Sequence, residues 1–473
     1  VSTTLGTLGF PIASVVAPLI GAGVVRFVGA PRAWTFVGLT FATVAAAAAL
    51  TRAFVEGSGV GAALAVNAII AIVVLAAQPR RGATRRDVVL PLLWIASGAL
   101  VMDATDARLV ALGWVLPPLA TWLSMRRTSA REARGRRLIG AYLVFGSLPL
   151  LVAIGLFAHA AGAAGEAQPF LVSSWRAAQL SPELARAVFS LVAVSVLVRL
   201  GVPPLHGWMA ELGELLPAGQ MLALTSVQMS VHVMVRMGIA PLPQALPSES
   251  GIVLGVGLAG ALYGALMAAS QHKLRRVVAY VAVAQSSALL VGIAMGDLVS
   301  VTGALANAIS VAITSRGLML AATTIEARVG MVDLRQMTGI AHPAPRLGAA
   351  MIMLGVAAVG LPGSLGFVGE DLLLQGLVHD RPLVAAAMVL AMALVGVALL
   401  RAVLRTCFGP VASWATTAPD LLPRERWLAA FGLAAALLGL WPGPLLRAHE
   451  SDVLALRDAW GHIDAAPTEH GGH

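Results

Sequence analysis

A small set of ionisable side chains falls inside stretches that otherwise read as membrane interior: Arg199, His206, His232, Arg236, Arg316, Glu370 and Asp371. A charge at the bilayer centre costs about 2.5–3.5 kcal/mol on insertion scales, so each should face the bundle interior and find a partner. Their chemistry differs. A carboxyl such as Glu370 can take up and release a proton, and burial and any nearby cation set the balance between its two forms. Arginine stays protonated in proteins. Arg199 and Arg316 can therefore supply fixed positive fields or lock helices together, but they make poor proton relays. His232 reads as a hydrogen-bonded core histidine, and Arg236 as a side chain snorkelling to a helix end. Asp103 and Asp106 lie in a short loop and read as solvent-facing.

Two of these groups sit beside helix breakers. In "GLPGSLGFVGEDLLLQG" (360–376), Pro362 and Gly363 precede Glu370 and Asp371. In "VRLGVPPLHGW" (198–208), Pro203 and Pro204 separate Arg199 from His206. Proline inside a helix removes a backbone hydrogen bond and clashes with the preceding turn. In lipid the freed carbonyls need partners, so such breaks survive only within protein or beside a wet cavity. The carboxyls are thus expected to line a polar path. Asp371 follows Glu370 directly and points about 100° away around the helix.

The elements that position these residues are membrane helices. Of 473 residues, 58% are hydrophobic and 12% charged, with a mean hydropathy of +0.85. Soluble domains average roughly 45–50% apolar and about 25% charged. The apolar runs reach the roughly 20 residues a crossing helix needs. Alternating ten-residue segments are absent, which excludes a β-barrel reading. The fold class is therefore all-α and integral to the membrane, with about 14 transmembrane helices. The spans fall near 6–28, 34–50, 59–77, 88–102, 109–125, 138–161, 187–208, 221–238, 252–270, 277–296, 299–324, 347–378, 383–408 and 427–446. The interrupted spans, seven and twelve, stand five apart. That spacing fits two five-helix repeats, one at 85–240 (spans four to eight) and one at 250–410 (spans nine to thirteen). Interrupted helices in corresponding positions are the usual sequence pointer to a transport site. Residues 1–84 hold the first three spans, 411–446 the last, and 447–473 a soluble tail. The first apolar run lacks a basic flank and reads as a retained span.

Net charge is +9, carried mostly by arginine. In a membrane protein this is loop charge, and it does not call for nucleic acid. Loops after odd spans carry "RRGATRR", "RRTSAREARGRR", "HKLRR" and the Arg401, Arg405, Arg424, Arg426 group. Loops after even spans carry about a third as much, which orients both termini and the tail outside the cytoplasm. His470 and His473 in that tail read as solvated, not as a metal site. The single cysteine, Cys407, excludes internal disulfides and a Cys-based metal cluster. No ATP-binding loop, flavin motif or Cys cluster is present, so no cofactor or metal is expected in this chain.

These residues carry a resemblance. The chain resembles the proton-antiporter family: the antiporter-like membrane subunits of respiratory complex I, with relatives in membrane-bound hydrogenases, multi-subunit cation/proton antiporters and inorganic-carbon uptake complexes. "GLPGSLGFVGED" is similar to the family's broken helix twelve, and "RLGVPPLHGWMAE" to its broken helix seven. "QHKLRRVVAYVAVAQSSALLVGI" resembles the loop and helix ten of the second repeat. "GALANAISVAITSRGLMLAATTIEARVGMVDLRQMTGI" is similar to helix eleven and the segment after it. The likeness covers about residues 85–410. It implies two inverted five-helix repeats, each a half-channel, joined by a mid-membrane axis of charged residues. Glu370 takes the helix-twelve position on that axis, and Arg199 the helix-seven position, where the family usually has Lys.

The departures matter as much. Val115, in "LGWVLPPLATW", stands where the family has a helix-five Glu. Residues 221–224 are apolar where helix eight usually carries Lys or His, and a helix-eleven His position reads as Val311. The resemblance thus implies an antiporter-like subunit of a multi-subunit complex that couples proton or cation movement to a partner subunit, with an eroded first half-channel. The expected path residues are Glu370, Arg316, Arg199, Asp371, His232 and His206. The expected surroundings are the lipid bilayer of a bacterial-type inner membrane and other subunits. Two alternatives stand beside this reading. One is a DabB-type membrane subunit of a proton-driven CO2/bicarbonate uptake complex with a zinc-containing partner. The other is a non-conducting scaffold. No lateral helix is expected after the fourteenth span, unlike the longest subunit type of complex I.

Overall fold

A computed structural model describes residues 2–79, 84–125, 129–176, 180–242, 245–411, 418–443 and 445–446. The expected tail, with His470 and His473, lies outside the described residues. Helices dominate: α1 (Ser2–Val24), α2 (Pro31–Val55), α3 (Gly59–Ala77), α4 (Arg86–Asp103), α5 (Ala107–Ser124), α6 (Ala130–Ala163), α7 (Pro182–Leu200), α8 (Gly207–Leu215), α9 (Ala218–Leu222) and α10 (Val227–Val233). A π-helical turn, Met234–Ile239, continues α10. Then come α11 (Leu246–Ser270), α12 (Leu274–Met295), α13 (Leu298–Val329), α14 (Pro345–Val359), α15 (Leu365–Asp380), α16 (Pro382–Cys407) and α17 (Arg426–Leu437). Eight spans among the described residues are long and apolar enough to cross a membrane. Isolated bridges are the only β pairing among the described residues.

Local chemistry sets many of the helix starts. Ser58, Ser129, Ser181 and Ser364 accept from the backbone N–H groups of Gly61, Glu132, Leu184 and Phe367, as N-caps do. Asp297 caps α13 through Val299 and Ser300. The Ser129 cap starts α6 at Ala130, eight residues before the expected span at 138. Arg131, Arg134, Arg136 and Arg137 therefore ride on a helix and not in a loop.

α13 is the central post. It runs 32 residues, about 48 Å at 1.5 Å per residue. It packs against α3, α10, α12, α14, α15 and α17. Serine, asparagine and one arginine interrupt its buried alanine and leucine face.

Both expected breaks are present and are built alike. After α7 the chain turns through Gly201 (φ +68°), and Val202 donates to Leu197 at 3.0 Å. After α14 it turns through Gly360 (φ +74°), and Leu361 donates to Val356 at 3.4 Å. Each is a left-handed glycine cap closed by a six-to-one bond, with proline two residues on to stop the helix. Side chains cover further freed carbonyls: Trp208 Nε1 donates to Val198 O at 2.9 Å, and Gln285 Nε2 to Ala358 O at 2.7 Å.

The eighth span, expected unbroken at 221–238, is a third interruption. It divides into α9, a non-helical link at 223–226, α10 and the π turn. The last span also departs from its expected 427–446. Its α-helix stops at Leu437, followed by a short 3-10 turn, Leu438–Leu440.

Candidate functional site

Arg199 lies in the last turn of α7, just before the first break, and is 2% exposed. Its Nη2 donates to the carbonyl of Trp114 on α5. Its guanidinium lies 4.4 Å from the Trp114 ring centre and 5.2 Å from that of Tyr142. The rings are themselves held. Trp114 Nε1 donates to Gly146 O at 2.6 Å, and Tyr142 OH donates to Leu224 O at 2.5 Å. No carboxylate pairs with Arg199 among the described residues. π faces and a carbonyl dipole stabilise the cation instead.

Arg316 on α13 is 6% exposed. It donates to Ala312 O at 3.1 Å on its own helix and to Thr225 O at 2.7 Å, and it lies 5.4 Å from the Trp94 ring centre. Thr225 belongs to the link that divides the eighth span, so Arg316 satisfies a carbonyl freed by the third break. Arg199 and Arg316 line one cavity with Thr225, Ser226, Ser286 and Ser315.

Glu370 lies elsewhere. It sits on the second turn of α15, and Gly360 leaves the space its carboxyl fills: a Cβ on Gly360 would stand 2.5 Å from Glu370 Oε2. With Gln285 and Asn307 it lines a separate cavity of about 20 Å³, otherwise walled by apolar side chains. That is room for about one water. Glu370 has no ion pair or hydrogen bond among the described residues. Arg316 does not pair with Glu370: its two terminal nitrogens bond the Ala312 and Thr225 carbonyls, and it lines the other cavity.

The remaining expected path residues are dispersed. Asp371 is exposed, accepts from Gln375 Nε2 at 2.8 Å, and lines an open groove with Asp297, His379 and Asp380. His206 Nε2 lies 3.1 Å from Tyr263 OH, with Tyr280 nearby, and does not line the arginine cavity. His232 is buried, with Nδ1 3.1 Å from Gln228 O on its own helix, as expected of a core histidine. Arg236 does not snorkel. It donates to Met102 O at 2.7 Å and Ala104 O at 2.9 Å, capping the C-terminal end of α4. A cation there meets the negative end of the helix dipole. Asp103 is not a free loop residue either: it ends α4 and pairs with Arg52 at 2.5 Å.

Sequence reasoning missed an ion-pair lattice at one end of the bundle. Arg276 meets Glu214 at 2.6 Å, Lys273 meets Glu214 at 3.2 Å, and Arg134 meets Glu211 at 3.0 Å. Arg275 donates to the backbone of Glu214 and Leu216 at the end of α8. A buried pair, Arg328 with Glu425, ties α13 to the start of α17. Outside the spans, two Asp-X-Arg turns repeat one geometry. Arg108 donates to Asp106, and Arg335 to Asp333, through backbone and side chain alike. Arg335 holds the Asp333 carboxyl down to about 2, and Arg108 lowers that of Asp106.

Apolar spanning helices around buried charges and interrupted segments define a multi-pass integral membrane protein. Residues 104–396 match the family described as NADH:quinone oxidoreductase/Mrp antiporter, TM, and the chain belongs to that family. It is an antiporter-like membrane subunit. It is 28% identical over 371 residues to NADH-quinone oxidoreductase subunit M of Pseudomonas aeruginosa, covering 76% of this chain and 72% of that one. It is 26% identical over 265 residues to subunit M of Escherichia coli K12, covering 55% of this chain and about half, 52%, of that one. Its fold superimposes on a chain of respiratory complex I from Thermus thermophilus with a TM-score of 0.82, at 22% identity, covering 94% of this chain and 99% of that one.

Proposed function

We propose that this chain works in a multi-subunit ion-translocating complex of the bacterial inner membrane, with Glu370 as its titrating group and a first half-channel that has lost its acid. The observation that carries the reading is the setting of Glu370. A carboxyl with no fixed partner, set against a helix break and beside a small cavity with polar side chains, can change protonation without dismantling a hydrogen-bond network. In the first repeat, Arg199 is fixed by rings and a carbonyl, and Val115 follows Trp114 where the family has Glu. That half holds a constant charge and no proton carrier.

Paired bridges support the arrangement as two inverted repeats, 85–240 and 250–410. Asp106 pairs with Leu171, joining the α4–α5 loop to the segment after α6. Lys273 pairs with Asp333, joining the α11–α12 loop to the segment after α13. These are equivalent places five spans apart, so they fall on opposite faces of the membrane.

The test is proton movement by the purified complex in vesicles, driven by its partner subunits. Glu370→Gln should assemble and lose most of the coupled transport. Wild-type rates in that variant would discard the reading. The eroded first half keeps a second reading in view, a DabB-type inorganic-carbon uptake subunit or a non-conducting scaffold. Partners decide among these. Iron–sulfur or nickel–iron subunits favour the first reading, and a soluble zinc protein favours the DabB type.

A further inference from the structure

Arg199 and Arg316 enter the membrane interior as two positive charges with no carboxylate between them. They line one cavity of about 40 Å³, with Thr225, Ser226, Ser286 and Ser315. A water needs about 10–15 Å³ by this measure, so the space exceeds what a single water fills. No Asp, Glu or His lines the cavity among the described residues. Four buried polar atoms of its lining residues have no hydrogen-bond partner among the described residues: Arg199 Nε, Arg316 Nε, Ser226 Oγ and Ser286 Oγ. The two arginines are 2% and 6% exposed, and the two serines 2% and 0%.

The donor set has one chemical sense. Guanidinium nitrogens only donate, and serine hydroxyls turn to donate when a negative partner is present. The carbonyls that might have welcomed a cation, those of Trp114, Ala312 and Thr225, are already taken by the arginines themselves. Water in the cavity would satisfy the open N–H groups but would leave two uncompensated charges in a low dielectric. A monovalent anion accepts from the open donors and also halves the uncompensated charge.

We propose that the cavity between Arg199 and Arg316 binds a small monovalent inorganic anion of about chloride size, held by the two guanidiniums and the Ser226 and Ser286 hydroxyls. The bound ion supplies a negative charge that the cavity walls lack, and it locks α7, α12, α13 and the link at 223–226 around itself. The site stands whether or not Glu370 carries protons, since the two cavities share no lining residue.

Bromide is the probe. The full chain, or the complex that contains it, is purified with gluconate as the only anion and then titrated with sodium bromide at constant ionic strength. Thermal unfolding should show a saturable rise of a few degrees that further gluconate does not produce. Crystals grown in bromide should show an anomalous peak between Arg199 and Arg316. Arg316→Gln should weaken the apparent bromide affinity about tenfold or more, as losing a charged hydrogen-bond donor does. Ser286→Ala removes one hydroxyl from a well-packed helix and should weaken it less, which keeps the test informative if Arg316→Gln fails to fold. An empty cavity at saturating bromide would overturn the proposal. So would an affinity unchanged in Arg316→Gln, or in Ser286→Ala where that variant stands alone.

Discussion

Glu370 rests against a glycine, whereas Arg199 rests against two rings and a carbonyl, and substitutions should expose that difference. Glu370→Gln breaks no hydrogen bond seen among the described residues, so stability should change by less than about 1 kcal/mol while transport falls. Asp371→Asn should leave transport close to wild type, because Asp371 is exposed and its side chain hydrogen-bonds only Gln375 among the described residues. A loss in Asp371→Asn matching that in Glu370→Gln would move the function to the open groove. Arg199→Ala strands the Trp114 carbonyl and empties the space between Trp114 and Tyr142. The stranded carbonyl alone costs about 1–3 kcal/mol. Arg199→Lys keeps the charge and a donor but loses the planar stacking. The yield and melting temperature of assembled complex should therefore rank wild type, Lys, Ala. An alanine variant as stable as wild type would show that Arg199 has no structural role. Glu370 was legible in the sequence as the carboxyl beside a break. Its separation from Arg316 was not. Which way a side chain points across a helix interface depends on packing, and the carbonyl that claims Arg316 belongs to a link the sequence did not reveal.

At the scale of elements, the breaks followed from residue types and the third interruption did not. Gly201-Val202-Pro203 and Gly360-Leu361-Pro362 combine a left-handed cap with a stop, which only glycine followed by proline writes so plainly. Residues 221–238 contain no proline, and their single glycine falls at the end. Their interruption at Thr225-Ser226 rests on distant help: Arg316 on the Thr225 carbonyl and Tyr142 on that of Leu224. Such support comes from other helices, so local sequence does not announce it. The early start of α6 was readable in principle, since Ser129 and Glu132 have cap-box spacing. The two glycine caps offer a paired test. Gly201→Ala and Gly360→Ala each force a side chain into the left-handed region at about 1–2 kcal/mol. At Gly201 the new Cβ meets Met209 Cε at 2.6 Å, the far end of a flexible chain. At Gly360 it meets the Glu370 carboxylate at 2.5 Å and must displace it. Both variants should lose similar thermal stability, but Gly360→Ala should lose much more coupled transport per assembled complex. Equal transport in the two would separate Glu370 from the function of this break.

At the scale of the whole molecule, the charges sort by face. Arg134, Glu211, Glu214, Lys273, Arg275 and Arg276 join in one lattice across α6, α8 and α12. Arg401 reaches the same face by donating to Gln271 O, and the Arg405 carbonyl accepts from Thr338. Every loop in this group follows an odd-numbered span of the sequence reading, so packing and charge bias agree on which ends belong together. Arg52, Asp103 and Arg236 gather instead around the C-terminal end of α4. Arginine-rich faces remain on the cytoplasmic side, which would put the lattice inside the cell and the α4–α5 loop outside. Two exposed positions read the two faces. Ala167 follows α6, and Met331 follows α13 at 68% exposure; five expected spans lie between them. The native Cys407 is buried at the end of α16 and can be replaced by alanine to leave a silent background. In that background Ala167→Cys should react with a membrane-impermeant maleimide on intact cells, and Met331→Cys only after lysis. Labelling of Met331→Cys from outside, with Ala167→Cys protected, would invert the topology. Labelling of both from one side would break the five-span separation on which the two-repeat arrangement rests.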